Sequence, residues 1–321
     1  MPDVSIVLLT KNAGPGFEAT LQAVCAQRFG GAFEVVSIDS GSTDGTVELL
    51  QRYATRVEAI APERFGFGAT KNLAAALVSS EVLVFLSQDA RPASDQWLTA
   101  LTALLAEPGV VAAHGRQLPW PHTTPMERFF VDTTYPAEPS RLTGDLPPFG
   151  VALSNVNAAL RRETLLAHPF DETLVMSEDQ AWAQRVLRAG FTVAYEPTAA
   201  VFHAHHYSLT GVFRRSFDSG MTLQGLLRDG RSPLRARGLG YLRRELAAVL
   251  GSHGPAWAAY TLLYEAARAG GYTIGSTGAR LPLGLVRRLS AHPQLWRRRL
   301  AAGAQPGLPT PAVTPAAADR P

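Results

Sequence analysis

Five apolar runs, at residues 4–10, 34–39, 56–60, 81–87 and 110–116, alternate with helical patterns near 17–28, 45–54, 69–79 and 95–106. Strands buried on both faces read as unbroken apolar runs, and parallel strands need crossover connections, usually helices. The alternation therefore predicts an α/β fold: a mostly parallel sheet with helices on both faces. A chain of 321 residues, 46% of them hydrophobic, can bury one large core or two modest ones. From about Pro119 to Phe149, proline, threonine and aromatic residues suggest a long excursion over a site. Regular structure resumes with Val151 to Leu160, a helix from Glu178, and strands at 191–195 and 199–203. From about Leu209 to Arg299 the pattern is almost all helical, broken by Gly and Pro, and the Pro/Ala-rich tail after Ala302 reads as disordered.

The single cysteine, Cys25, excludes an internal disulfide and fits a reducing compartment. No signal peptide precedes the first strand, and the most apolar later stretch, Ala256 to Gly271, is interrupted by Glu265 and Arg268. A cytoplasmic protein is expected. The net charge of +3 is small but uneven, with arginines at 214, 215, 228, 231, 235, 237, 243 and 244 and again at 287, 288, 297, 298 and 299. Such clusters suit phosphates or an anionic membrane surface, and equally the solvated faces of ordinary helices. No RNA-binding signature or zinc finger accompanies them, so nucleic acid is not expected as a partner.

Val82 to Pro92 is a buried-strand pattern that ends in Asp89 and a proline. Ligands of open α/β sheets sit beyond the strands' carboxyl ends, where a carboxylate can hold a divalent cation over phosphates. Asp89 could equally cap a helix or close a turn. Ile38 to Thr46 follows a strand and opens a helix; Asp39 and Asp44 can accept hydrogen bonds from ribose or a base, and Asp44 is also a good N-cap. No Gly-x-Gly-x-x-Gly or Walker sequence is present, which argues against a dehydrogenase or an ATPase. Phe65 to Asn72 sets two glycines before a helical run carrying Lys71, a reasonable anion cradle or an ordinary loop. Ser177 to Gln180 has capping-box spacing, which puts Glu178 and Asp179 in a first helical turn, where an ionised carboxylate is favoured and a general base could stand. Val201 to His206 ends another apolar strand; if extended, His203 and His205 share one face and His206 points to the other. With Asp89 they form a plausible divalent-metal set.

Together these segments resemble the family 2 glycosyltransferases, whose nucleotide-sugar-binding fold is called GT-A. The resemblance rests on Val4 to Asn12, Asp39 to Thr46, Gly68 to Asn72 and Gln88-Asp89-Ala90, with Glu178-Asp179 and His203 following in order, across roughly residues 3 to 220. Ser87 to Ala90, Ser154 to Ala159, Ser177 to Trp182 and His203 to Leu209 echo the rhamnosyltransferase-like subgroup. Two departures stand out: the usual Asp-x-Asp is Ser87-Gln88-Asp89, so one carboxylate remains for metal, and Phe67-Gly68 replaces a common His-Gly.

The resemblance implies an inverting transferase that moves a sugar, rhamnose from dTDP-rhamnose being the expected donor, onto a hydroxyl of a saccharide or lipid-linked saccharide in cell-surface polysaccharide synthesis. It implies Asp179, with Glu178, as the catalytic pair. Thr10, Asn12, Asp39, Ser40, Gly41, Asp44, Lys71, Asn72, Gln88 and Asp89 fall on the donor side, and Asn155, Asn157 and Trp182 on the acceptor side. Mg²⁺ or Mn²⁺ would be held by Asp89 and His203, with His205 or His206 as substitute ligand. The implied domains are residues 1–208 (catalytic) and 209–302 (acceptor or peripheral contact at the inner membrane face), followed by a tail at 303–321. A catalytically silent nucleotide-sugar binder in an assembly complex is the alternative, and nucleotide release with donor, metal and acceptor separates the two.

Overall fold

A computed structural model describes residues 1–144, 151–226 and 234–296; the arginines at 228, 231 and 297–299 and the tail at 303–321 lie outside it. Side chains of Arg235 and Arg237 are also outside the described set. The first half alternates β1 (Val4–Thr10), α1 (Phe17–Cys25), β2 (Phe33–Asp39), α2 (Thr46–Tyr53), β3 (Arg56–Ala59), α3 (Phe67–Leu77) and β4 (Val82–Ser87). Then come β5 (Arg91–Pro92), α4 (Trp97–Ala103), β6 (Val110–Leu118), α5 (Pro125–Thr134), β7 (Ser140–Leu142), β8 (Asn157–Arg161), α6 (Arg162–Ala167), α7 (Glu178–Arg188) and β9 (Thr192–Phe202).

The described strands form one sheet in the order β3-β2-β1-β4-β8-β6-β9-β5, with β7 on β9. β3, β2, β1 and β4 are mutually parallel, as the apolar runs predict. From β8 onward the sheet is mixed: β8 runs antiparallel to both β4 and β6, while β6 and β9 are parallel. An apolar run does not encode strand direction, which is set by the route of the connection. Side-chain alternation divides the interior. Val4, Ile6 and Leu8 of β1 face the core under α1 and α4, and Val7 faces the one under α3, α6 and α7. The two strands expected at 191–195 and 199–203 are one strand, β9, irregular where β6 shifts register between Gly115 and Gln117. Gly115 is required there, since a Cβ would overlap the Ala199 carbonyl oxygen. Within the expected excursion, α5 and β7 are regular; residues 145–150 are not described.

The last third is helical: α8 (Leu209–Leu226), α9 (Leu234–His253), α10 (Pro255–Ser276) and α11 (Leu283–Leu289). α8 and α10 approach so closely that a Cβ on Gly271 or Gly275 would overlap the carbonyl oxygens of Phe213 and Phe217. Phe217, Met221, Val286 and Trp296 pack with Val175 and against Phe65 and Phe67, which docks this layer onto the α/β part. A second contact joins Met126, Val212 and Tyr264. Beneath it lies a charged interior. Tyr264 Oη donates to Glu127, and Arg268 sits 3.6 Å from Glu127 Oε1 and 3.3 Å from Glu265 Oε1. Glu245 is fully buried and neither carboxylate oxygen has a hydrogen-bond partner. Burial, reinforced by Glu265 and Glu127 against Arg268, pushes its carboxyl up to about 8. Among the described residues no helix is long and apolar enough to cross a membrane.

Candidate active site

β1 lies between β2 and β4, so the order of strand addition reverses at β1 and a crevice opens beyond the carboxyl ends of these three strands. Thr10 pairs with Asp39 in register, and Leu9 with Ser87, which sets the loops after β1, β2 and β4 along one rim.

The loops after β1 and β2 are hydrogen-bonded to each other. Asp39 Oδ1 accepts from the N–H groups of Gly41 and Ser42, both at 2.9 Å; Oδ2 accepts from Thr10 Oγ1 at 3.0 Å and Ser42 Oγ at 2.5 Å. Burial opposes ionisation, but these bonds outweigh it and hold the carboxyl below its usual range. Asn12 sits at φ 45° and takes the Thr43 N–H at 2.8 Å; Ser40 Oγ donates to Thr10 O at 3.1 Å. Gly41 is at φ +90°, a conformation that favours glycine. Asp44 accepts from Gly14 N–H at 3.1 Å and from Thr46 Oγ1 at 2.6 Å, so it ties the first loop to the start of α2; the N-cap itself is Gly45. Gln88 holds Lys11 by both backbone groups, its Oε1 2.9 Å from Lys11 N and its Nε2 3.2 Å from Lys11 O. The polar groups at 10, 39, 40 and 88, expected on the donor side, thus organise the loops.

Lys71 departs from expectation. Its ammonium lies 2.6 Å from Glu178 Oε1, both side chains are 7% exposed, and the rings of Phe67 and Phe170 flank it. It is not free to meet a diphosphate. Gly68 has a packing role: a Cβ there would stand 2.8 Å from Asp171 O, so the glycine lets α3 approach that loop. Asn72 is turned the same way, with Nδ2 on Phe170 O at 3.0 Å and Oδ1 on Phe170 N at 2.9 Å.

At the start of α7 the capping box does not form. Ser177 adopts φ 61°, whereas a side-chain N-cap needs extended backbone; Gln180 bonds Ala152 N and Leu153 O instead. Glu178 and Asp179 still occupy the first turn. Burial would protonate Glu178, but the Lys71 ammonium outweighs it and keeps the carboxyl low. Asp179, half-buried, is raised to about 6 by burial and then by the Glu178 charge, against Lys71 and the N–H groups of Asn155 and Gln180. Asn155 Nδ2 leans on Glu178 at 3.4 Å, and its Oδ1 is buried with no hydrogen-bond partner.

Two residues expected on the acceptor side lie in the interior. Asn157 is fully buried, with Oδ1 accepting from Trp97 Nε1 and Nδ2 donating to Ala199 O, each at 2.8 Å. Trp182 is fully buried among Ala183, Val186 and Phe170 and donates to His168 O.

Asp89, His203 and His205 each offer a ligand atom, all within 4.8 Å of one another. His203 Nε2 is 3.6 Å from Asp89 Oδ1, and His205 Nδ1 is 3.8 Å from Oδ2. These are gaps too long for hydrogen bonds and suited to a shared cation, and two imidazoles with one carboxylate are a transition-metal donor set. Burial, opposed by Asp89, holds the His203 imidazolium below its usual range; burial, His203 and Arg215 take His205 to about 3. Both rings are therefore neutral at neutral pH, with lone pairs available. His206 is not in this group; it stacks on His122.

Gln117, at the end of β6, escaped the sequence reading. Its Oε1 lies 2.7 Å from His203 Nδ1, and its Nε2 donates to Tyr135 Oη at 2.7 Å and Ser154 Oγ at 3.0 Å. With Nδ1–H donating, Nε2 is left as an acceptor facing Asp89. Nothing local set it apart, since His114 and Arg116 share the end of β6 and its partner His203 is 86 residues away.

Residues 5–161 match the Glycosyl transferase family 2 model. Over nearly the whole chain the sequence is similar to the O-antigen chain rhamnosyltransferase WbaN of Salmonella anatum, 29% identical with 92% of this chain and 96% of the relative covered. RfbN of Salmonella typhimurium, also an O-antigen chain rhamnosyltransferase, is 28% identical at 91% and 96% coverage. In fold the chain is similar to a mannosyltransferase from Pyrobaculum calidifontis solved with GDP-Man and Mn²⁺, at TM-score 0.56, 20% identity and 86% coverage of each chain. It is also similar to S. aureus TarS solved with UDP-GlcNAc, at TM-score 0.51, 15% identity and coverage of 87% and 91%. The chain thus has a GT-A fold, matches the family 2 glycosyltransferases over residues 5–161, and is rhamnosyltransferase-like in sequence.

Proposed function

We propose that the protein is an inverting glycosyltransferase that moves rhamnose from dTDP-rhamnose to a hydroxyl of a saccharide or lipid-linked saccharide during cell-surface polysaccharide synthesis. The observation that carries the reading is the Asp89–His203–His205 group at the end of β4, beside the rim of the nucleoside loops. The similarity to two O-antigen rhamnosyltransferases supports the donor sugar, and the complexes of the structural neighbours support a nucleotide-sugar donor and a divalent cation. The donor set of two imidazoles favours Mn²⁺ over Mg²⁺.

Asp179 is the general base: a carboxylate raised to about 6 is ionised at neutral pH yet basic enough to take the acceptor's proton. As that proton passes to Asp179, the acceptor oxygen bonds to the anomeric carbon. The bond from that carbon to the diphosphate oxygen breaks, and its electron pair leaves with the nucleoside diphosphate. A bound cation would supply charge neutralisation on that leaving group, held by Asp89, His203 and His205. Glu178, ion-paired to Lys71, supports Asp179 rather than reacting. Asn155 Oδ1, unpartnered beside this pair, serves the acceptor side. The loops held by Asp39 and Asp44 receive the nucleoside. Residues 1–208 form the catalytic unit. Residues 209–302 face the acceptor and the cytoplasmic membrane surface through exposed Trp257, Leu262 and Leu263 and exposed Arg243 and Arg244.

The test is nucleoside diphosphate release from a donor panel of dTDP-rhamnose and uridine- and guanosine-diphosphate sugars, with a saccharide acceptor. Release from dTDP-rhamnose that chelator abolishes and Mn²⁺ restores is the expected result. Release from another donor alone overturns the rhamnosyl assignment; no release from any overturns the enzyme reading.

A further inference from the structure

A leaving diphosphate needs positive charge from the protein, and the cation placed for it by the sequence, Lys71, is bound to Glu178 in the interior. α8 begins just beyond the histidines, and Arg215 in its second turn is exposed. The guanidinium carbon stands 5.5 Å from the Tyr207 ring centre. Tyr207 in turn lies 4.9 Å from the His205 ring, and His205 lies 4.5 Å from His203. Arg215 therefore lies along an aromatic row that ends at the Asp89–His203–His205 group. Among the described residues no carboxylate pairs with it. An unpaired guanidinium next to a cation-binding group is unfavourable on its own, and an anion shared by both relieves the repulsion. The planar donors of arginine match phosphate oxygens in pairs.

Resting on the glycosyltransferase reading, we infer that Arg215 binds the donor's diphosphate and takes up the charge released onto it, the place that Lys71 leaves empty. As the anomeric carbon–oxygen bond breaks, the electron pair goes to the diphosphate oxygens, and the Arg215 N–H groups donate to them. Because Arg215 repels a bare cation and attracts a diphosphate, metal and nucleotide bind cooperatively.

Titration calorimetry of the full chain with Mn²⁺ alone, and with thymidine diphosphate in the presence of Mn²⁺, tests this. Arg215→Ala should weaken thymidine diphosphate about 10- to 100-fold, the usual size of a lost charge-assisted phosphate contact. It should leave Mn²⁺ alone bound no more weakly, and Arg215→Lys should recover part of the loss. Arg214→Ala, whose side chain lines a cavity with Phe213 and Ala267 instead, should match wild type. Thymidine diphosphate affinity within twofold of wild type in Arg215→Ala overturns the role of Arg215 alone. Wild-type protein that binds no thymidine, uridine or guanosine diphosphate with Mn²⁺ overturns the glycosyltransferase reading with it. Arg215 is exposed, so the variant should keep the wild-type circular dichroism spectrum, and equal weakening of Mn²⁺ and nucleotide would also overturn the inference.

Discussion

At the start of α7 two adjacent carboxylates stand in opposite condition: the Lys71 ammonium holds Glu178 low, while burial and then the Glu178 charge raise Asp179 to about 6. A base acts only when deprotonated, so turnover should fall as pH drops through about 6. Glu178→Gln removes the repulsion that raises Asp179 and should move this limb to lower pH, read from the pH profile of kcat. Asp179→Asn should lower kcat by about two to four orders of magnitude with nucleotide affinity little changed, and near-normal turnover would defeat the assignment. Gln117 gives a second measurement: Gln117→Leu frees the His203 ring and should weaken Mn²⁺ about 10- to 100-fold by calorimetry, independent of turnover. The Asp89, His203 and His205 group was legible because a charged or imidazole group closing an apolar strand is a local pattern. The partners of Lys71 and Asn157 were not legible. Glu178 is 107 residues from Lys71, and Trp97 is 60 residues from Asn157, and nothing local encodes either pairing.

Among the elements, the parallel run β3-β2-β1-β4 was readable from apolar periodicity, and observed β1, β2 and β4 begin or end within a residue of expectation. The antiparallel insertion of β8 and the unity of β9 were not, because direction and continuity depend on connections and on one register shift. The α8–α10 crossing was equally hidden, since a glycine's value there lies in the backbone opposite it. Two neighbouring glycines of α10 separate the effects. Gly271→Ala drives a methyl into the Phe213 carbonyl and should cost about 1–3 kcal/mol by denaturant unfolding. Gly270→Ala meets nothing nearer than the Phe213 ring at 3.9 Å and should stabilise by about 0.5–1 kcal/mol. Equal effects would place the helices further apart than described.

For the molecule as a whole, the exposed arginines and apolar residues of α9 and α10 predict retention on anionic vesicles at low salt, with release as salt rises. Each basic residue near the surface is worth about 1 kcal/mol. Arg243→Glu with Arg244→Glu should reduce co-sedimentation, and wild-type protein left in the supernatant at low salt would remove the membrane part of the reading. The buried carboxyl of Glu245 bears on the same layer in another way. Raised to about 8 and facing Glu127, Glu265, Arg268 and Tyr241, it is neutral in the folded protein at neutral pH and ionised once the chain opens. Its contribution to stability is complete below about pH 4.3, where the unfolded carboxyl is also protonated, and is lost as pH rises through about 8. Assembly of the helical layer is therefore a proton-uptake reaction, and melting it near pH 7 liberates a hydrogen ion into the buffer. The calorimetric heat of unfolding should consequently differ between phosphate and Tris, through their unequal ionisation heats, by more in wild type than in Glu245→Gln.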